Sequence, residues 1–130
     1  MDTKICTKCG RDLPLTEYYS RGNGKLRSEC KQCHSNYVKS RYKKRKDFVN
    51  EIKNECKCLK CGESRPYTLD FHHIDPSIKD KSVARMTSNN NKMEDIQKEI
   101  EKCIVLCANC HREFHYLETK EQITIEEFLL

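Results

Sequence analysis

Leu106-Cys107-Ala108-Asn109-Cys110-His111-Arg112-Glu113-Phe114-His115 is the stretch on which the fold turns. It opens with two cysteines at the spacing that lets their thiolates take adjacent corners of one metal tetrahedron. The residues that follow read as a helix, on which His111 and His115 stand four apart and share a face. Upstream, Tyr67-Thr68-Leu69-Asp70-Phe71-His72 has the β-branched and aromatic content of a strand, continued by His73-Ile74-Asp75 and ended by Pro76. Four of the five histidines lie in these two stretches, and that concentration is the main functional signal.

The rest of the chain has little apolar material to build with. Of 130 residues, 36% are hydrophobic, 35% are charged and none is Trp, so a core needs staples of disulfide or metal. Ten cysteines supply them. No apolar run approaches the ~20 residues of a membrane span, so no membrane partner is expected. The opening residues lack the apolar core of a signal peptide. A cytoplasmic, reducing setting is therefore the expectation, and there Cys-x-x-Cys pairs read as zinc ligands.

Charge is unevenly shared. Residues 1–46 carry 13 Lys/Arg against 4 Asp/Glu, and residues 47–130 carry 12 against 16, within a net charge of +5. A basic front half is drawn to a polyanion, and nucleic acid is the commonest.

The first module, residues 1–46, pairs Cys6 and Cys9 with Cys30 and Cys33 around one expected zinc ion. Gly10 suits the left-handed turn of a knuckle, and Gly22-Asn23-Gly24 reads as a hairpin turn. A helix is expected from Cys30 to about Lys46, since neither Gly nor Pro interrupts it. It ends in Lys39-Ser40-Arg41-Tyr42-Lys43-Lys44-Arg45-Lys46, six basic residues in eight, with Tyr37 and Tyr42 interleaved. Lys39, Arg41, Lys43, Lys44, Arg45 and Lys46 are the expected nucleic-acid contacts, set against the plainer reading of a solvated charged face. Residues 47–55 read as a helical linker.

The second module, residues 56–130, repeats the plan. Cys58-Leu59-Lys60-Cys61-Gly62 echoes the first knuckle, and Cys107 and Cys110 complete a second structural zinc site. Cys56 can replace Cys58 in principle, though the repeated knuckle favours Cys58; Cys103 reads as a buried apolar residue. Residues 79–91 read as a polar loop. Residues 92–102 read as a helix with Met93, Ile96 and Ile100 as its core stripe, followed by a short strand at Cys103-Ile104-Val105-Leu106. Thr124 with Glu127 opens a short packing helix.

With four cysteines closing one site, the histidines are left for a second ion. Neighbours on a strand point to opposite faces, so His72 and His73 serve one centre only if the strand bends. One then ligates and the other addresses a substrate beside the ion. A histidine near its ordinary pKa of about 6.5 takes a proton from water, while a divalent ion stabilises the phosphorane and the leaving oxygen.

Asp70-Phe71-His72-His73-Ile74-Asp75-Pro76 together with residues 103–115 resembles an HNH endonuclease of the zinc-stapled treble-clef, ββα-metal type. The leading module resembles the small four-Cys zinc domain that precedes such nucleases in some bacteriophage proteins. The resemblance implies a metal-dependent DNA endonuclease with His73 as general base, His72 and His111 as ligands of Mg²⁺, Mn²⁺ or another divalent ion, and His115 as a third ligand or a phosphate contact. It implies a catalytic Asn as well. The usual position, several residues before the second knuckle, holds Lys102 and its neighbours, which leaves Asn109 or one of Asn89, Asn90 and Asn91. Phage packaging proteins enter as a further partner class, and a bacterial host's cytoplasm as the location. The fold expectation is thus a small α+β, metal-stapled chain of two treble-clef or zinc-ribbon-like modules, the second an HNH fold.

Two other readings compete. A non-catalytic zinc-finger DNA-binding or regulatory protein keeps all eight zinc cysteines but has no need for His72, His73 and His115 together. A c-type cytochrome matches Cys30-x-x-Cys33-His34 and Cys107-x-x-Cys110-His111, yet each of these pairs already has an upstream knuckle as its partner.

Overall fold

In a computed structural model, residues 2–78 and 81–130 are described, and they form two compact units divided between Lys43 and Lys44. In the first, β1 (Thr3–Ile5) pairs antiparallel with β2 (Asp12–Pro14), the knuckle lying between them, with Gly10 at φ 74°. A hairpin of β3 (Ser20–Gly22) and β4 (Lys25–Leu26) follows. Asn23 and Gly24 sit at φ 53° and 71°, the two positive values that a tight hairpin turn matching strand twist demands. Cys6, Tyr18 and Cys30 are the buried core, with Leu13, Leu26 and Cys33 packed around them. Two of three core residues are therefore cysteines, and the unit depends on what joins them.

Helix α1 runs unbroken over Lys31–Asn54. The stretch expected as a linker is its second half. Val49, with Phe48 and Ile52 beside it, packs on Val83, Met86, Ile96 and Ile100, so residues 44–54 belong to the core of the second unit.

Arg45 corrects the expected nucleic-acid surface. Its side chain is buried, and Nε donates to the Thr87 carbonyl at 2.9 Å. Six basic residues on a helix cannot all face water when one side of that helix packs on a core. Arg45→Ala is expected to cost roughly 1.5–3 kcal/mol in urea unfolding, the worth of a buried charged hydrogen bond. The exposed neighbour Lys44→Ala should stay within about 0.5 kcal/mol. A similar small loss for Arg45 would return it to the solvent face.

The second unit is built on β5 (Leu69–His73) paired antiparallel with β6 (Cys103–Cys107), in the register Leu69↔Cys107 to His73↔Cys103. Tyr67 and Thr68, expected in the strand, instead form a 3₁₀ turn over Pro66–Thr68, because Pro66 presets its φ and Thr68 bonds back to Arg65. Helix α2 (Val83–Ser88) occupies the middle of the expected loop; Lys79 and Asp80 lie outside the described residues. Ser82 caps it through Arg85 N at 3.1 Å, and Val83, Met86 and Thr87 are buried. Helix α3 (Met93–Ile100) buries Ile96, Glu99 and Ile100, while Met93 is exposed rather than core.

Helix α4 (Ala108–Glu121) follows β6 directly, with Cys107 as its N-cap. Helix α5 (Ile125–Leu129) is capped by Thr124 and drives Phe128 against Phe114, ring centroids 5.3 Å apart. Leu69, Leu106, Phe114 and Phe128 form one core together with Cys58, Cys107 and Cys110. The arrangement is a small mixed α/β chain with two cysteine clusters suited to metal.

Candidate metal centres

The eight cysteines expected as ligands gather into two sets, Cys6/Cys9/Cys30/Cys33 and Cys58/Cys61/Cys107/Cys110, with all sulfurs of a set within 4.8 Å of one another. Cys6 and Cys33 are 3.8 Å apart, and Cys61 and Cys107 are 3.7 Å apart. A tetrahedron with Zn–S bonds of about 2.3 Å has edges of about 3.8 Å, so the donor set fits zinc. Cys56 stands outside, donating its thiol to the Ile52 carbonyl at 3.2 Å, and Cys58 is the one that joins the cluster. Cys103 is only partly buried; its thiol donates to the Glu99 carbonyl at 3.4 Å.

The two clusters share an electrostatic plan. Burial opposes ionisation of Cys6, but backbone N–H groups of Cys9, Cys30 and Lys8 outweigh it and bring the thiol down to about 6. Cys58 comes down to about 6 for the same reason, against the same burial, through the N–H groups of Cys61, Cys107 and Lys60. The fourth corner goes the other way: burial, then neighbouring sulfurs, push Cys33 up to about 12 and raise Cys110 as well. Four sulfurs this close resist joint ionisation, and a divalent cation removes the conflict. Arg11, whose Nε donates to the exposed Cys9 sulfur at 3.4 Å, gives the first cluster a further cation.

A third group is formed by His72, His111 and His115. His72 Nδ1 lies 3.3 Å from His111 Nε2, which lies 3.0 Å from His115 Nε2. Metal–nitrogen bonds of about 2.1 Å put neighbouring nitrogens about 3.0 Å apart in an octahedron and about 3.4 Å in a tetrahedron, so these three fit the corners of one coordination sphere. His72 comes from β5, and the other two lie one turn apart on α4. Burial, followed by the His111 and His115 rings, depresses His72 to about 4, so it offers a lone pair at neutral pH. Phe114 walls the site, its ring 5.1 Å from that of His72.

Asp70 completes the arrangement and has no role in the sequence reading. Its Oδ2 lies 3.2 Å from His111 Nδ1, which places the proton there and turns the Nε2 lone pair toward the other histidines. The signal was present: Asp70 is two residues before His72, hence on the same face of the strand. On the outer side, Glu118 stands 3.7 Å from His115 Nδ1.

His73 is not brought to this group. The bend that would join the two histidines is absent: β5 continues through His73, and Ile74 N still donates to the Lys102 carbonyl. The ring therefore lies on the other face, where Nε2 meets Glu99 Oε1 at 2.8 Å, both side chains buried. Asn109 is exposed on the first turn of α4 and makes no side-chain hydrogen bond among the described residues. Glu99 was missed because it sits inside the apolar stripe of α3, and that position was itself the clue.

Among the basic residues, Lys39, Arg41, Lys43, Lys44 and Lys46 are exposed. Arg41 lies across Tyr37, one turn before it, donating to the Tyr37 hydroxyl at 3.0 Å with its guanidinium 5.6 Å from the ring centroid. His34, the remaining histidine, pairs with Glu29 at 3.3 Å and meets the Tyr19 ring edge-on. No helix among the described residues is long and apolar enough to cross a membrane. Compared with protein-family models, curated proteins and solved structures, the chain matches none.

Proposed function

We propose that the chain is a metal-dependent DNA endonuclease of the HNH type, with β5, β6 and α4 as its ββα-metal unit and the second cysteine cluster as the zinc staple beneath it. The observation that carries the reading is the convergence of His72, His111 and His115, with Asp70 fixing the tautomer of His111. A structural role needs no such trio beside a complete four-cysteine site. A divalent ion held there supplies Lewis-acid stabilisation of the phosphorane and the leaving oxygen. An all-imidazole donor set suits Fe²⁺, Ni²⁺, Cu²⁺ or Zn²⁺ better than Mg²⁺.

The protein's own residues do the rest. Lys39, Arg41, Lys43, Lys44 and Lys46 neutralise backbone phosphates, and Tyr37 holds the Arg41 fork ready. In this reading His73 takes the proton of the attacking water once the end of β5 bends to bring its ring to the ion, a movement the assignment requires. The ring's place on the far face of β5 is the one observation favouring the other reading, a zinc-stapled protein that binds DNA without cutting it.

Supercoiled-plasmid cleavage separates the two. Wild type and His73→Ala, matched for zinc content, are assayed with Mg²⁺, Mn²⁺ or EDTA. Cleavage by wild type that EDTA abolishes, and that His73→Ala lowers by about 10²–10⁴-fold, is the expected result. Equal cleavage by both removes His73 from the chemistry. DNA binding with no cleavage by either protein moves the assignment to the binding module.

A further inference from the structure

We infer that Glu99 is the positioning residue for His73, filling the place that the HNH pattern gives to an Asn; the inference rests on the nuclease reading above. An ionised carboxylate only accepts hydrogen bonds, so the 2.8 Å contact places the proton on His73 Nε2 and leaves Nδ1 as the basic nitrogen. The second oxygen, Oε2, accepts from Lys102 Nζ at 3.0 Å, which fixes the rotation of the carboxylate and hence the plane of the ring. Placement follows from chain connectivity. Helix α3 turns through Glu101 and Lys102 directly into β6, and His73 pairs with Cys103 at the start of that strand. Glu99, four residues before Cys103, is carried against the His73 face of the sheet.

A bare structural role fits poorly. Burying a carboxylate and an imidazole gains little over an apolar pair of the same volume. Glu99 also borders a cavity of about 360 Å³ whose walls include Met86 as well as Asn91, Asp95, Lys98 and Lys102, so its carboxylate lies at the edge of a pocket of mixed polar and apolar character. Carboxylate–imidazole pairing of this kind sets the tautomer and the orientation of the ring.

The test is a double-mutant cycle on plasmid cleavage with Mn²⁺, using wild type, Glu99→Gln, His73→Ala and the double variant at matched zinc content. Glu99→Gln is expected to lower kcat by about 10–100-fold with KM unchanged. It should add no further loss in the His73→Ala background, because it acts through that ring. Glu99→Asp, which keeps the charge, should lose less than Glu99→Gln, and it decides the question if the Gln variant fails to fold. Wild-type kcat in Glu99→Gln, or additive losses in the double variant, would overturn the inference. Should wild type not cleave at all, the nuclease reading fails by itself. The His73 Nε2 proton resonance then reads the pairing directly: an upfield move in Glu99→Gln supports it, and an unmoved resonance sinks it.

Discussion

Cys58→Ser is expected to unfold residues 44–130 while leaving the first unit with its zinc. Cys58 is almost wholly buried and belongs to the same cluster as Leu69, Leu106, Phe114 and Phe128, so the metal site and the apolar core are one object. Zinc contributes roughly 10–16 kcal/mol of apparent folding free energy in small finger domains. A whole domain is stable by only about 5–15 kcal/mol. Losing one thiolate therefore removes more than this core can supply.

Metal analysis should fall from two zinc ions per chain to one. The amide spectrum of residues 44–130 should collapse to unfolded positions. Cys56→Ser is the control: its thiol bonds the Ile52 carbonyl, outside the cluster, and both zinc ions should remain. A Cys58→Ser protein that loses one zinc yet still unfolds cooperatively near the wild-type midpoint would show that the apolar cluster suffices alone.

The cysteine pairs were legible because a metal ligand set is written in short spacings, and so was the succession of strand, knuckle and helix from Cys103 to Glu121. What stayed hidden was whatever depends on which face an element buries. Arg45 is one of six basic residues in eight, and no local pattern distinguishes the one that reaches the Thr87 carbonyl. Helix α2 is six residues long and only half apolar, so only Ser82 as cap and the burial of Val83 and Met86 reveal it. The histidine pair was legible as chemistry but not as geometry. Strand alternation put His72 and His73 on opposite faces, and the expected bend did not form. Glu99 then emerges as the carboxylate beside His73, and Asp70, on the His72 face, as the one that meets His111.

His111→Ala is expected to abolish ion binding at the histidine centre and lower plasmid cleavage by about a thousandfold, the equivalent of several kcal/mol of lost Lewis-acid stabilisation. His111 is the hub: its Nε2 faces both His72 and His115, and its Nδ1 is the nitrogen that Asp70 holds. Removing it leaves two nitrogens from different elements with nothing between them. Asp70→Asn keeps the ligands and weakens only the orientation, so ion affinity should drop by about 10–100-fold. Both variants should retain two zinc ions, since the cysteine clusters are untouched. Mn²⁺ titration followed by electron paramagnetic resonance reads affinity without reference to cleavage. Affinity unchanged in His111→Ala would place the ion elsewhere, even if cleavage fell. The ordering wild type, then Asp70→Asn, then His111→Ala, in both affinity and rate, is what a centre built from β5 and α4 requires.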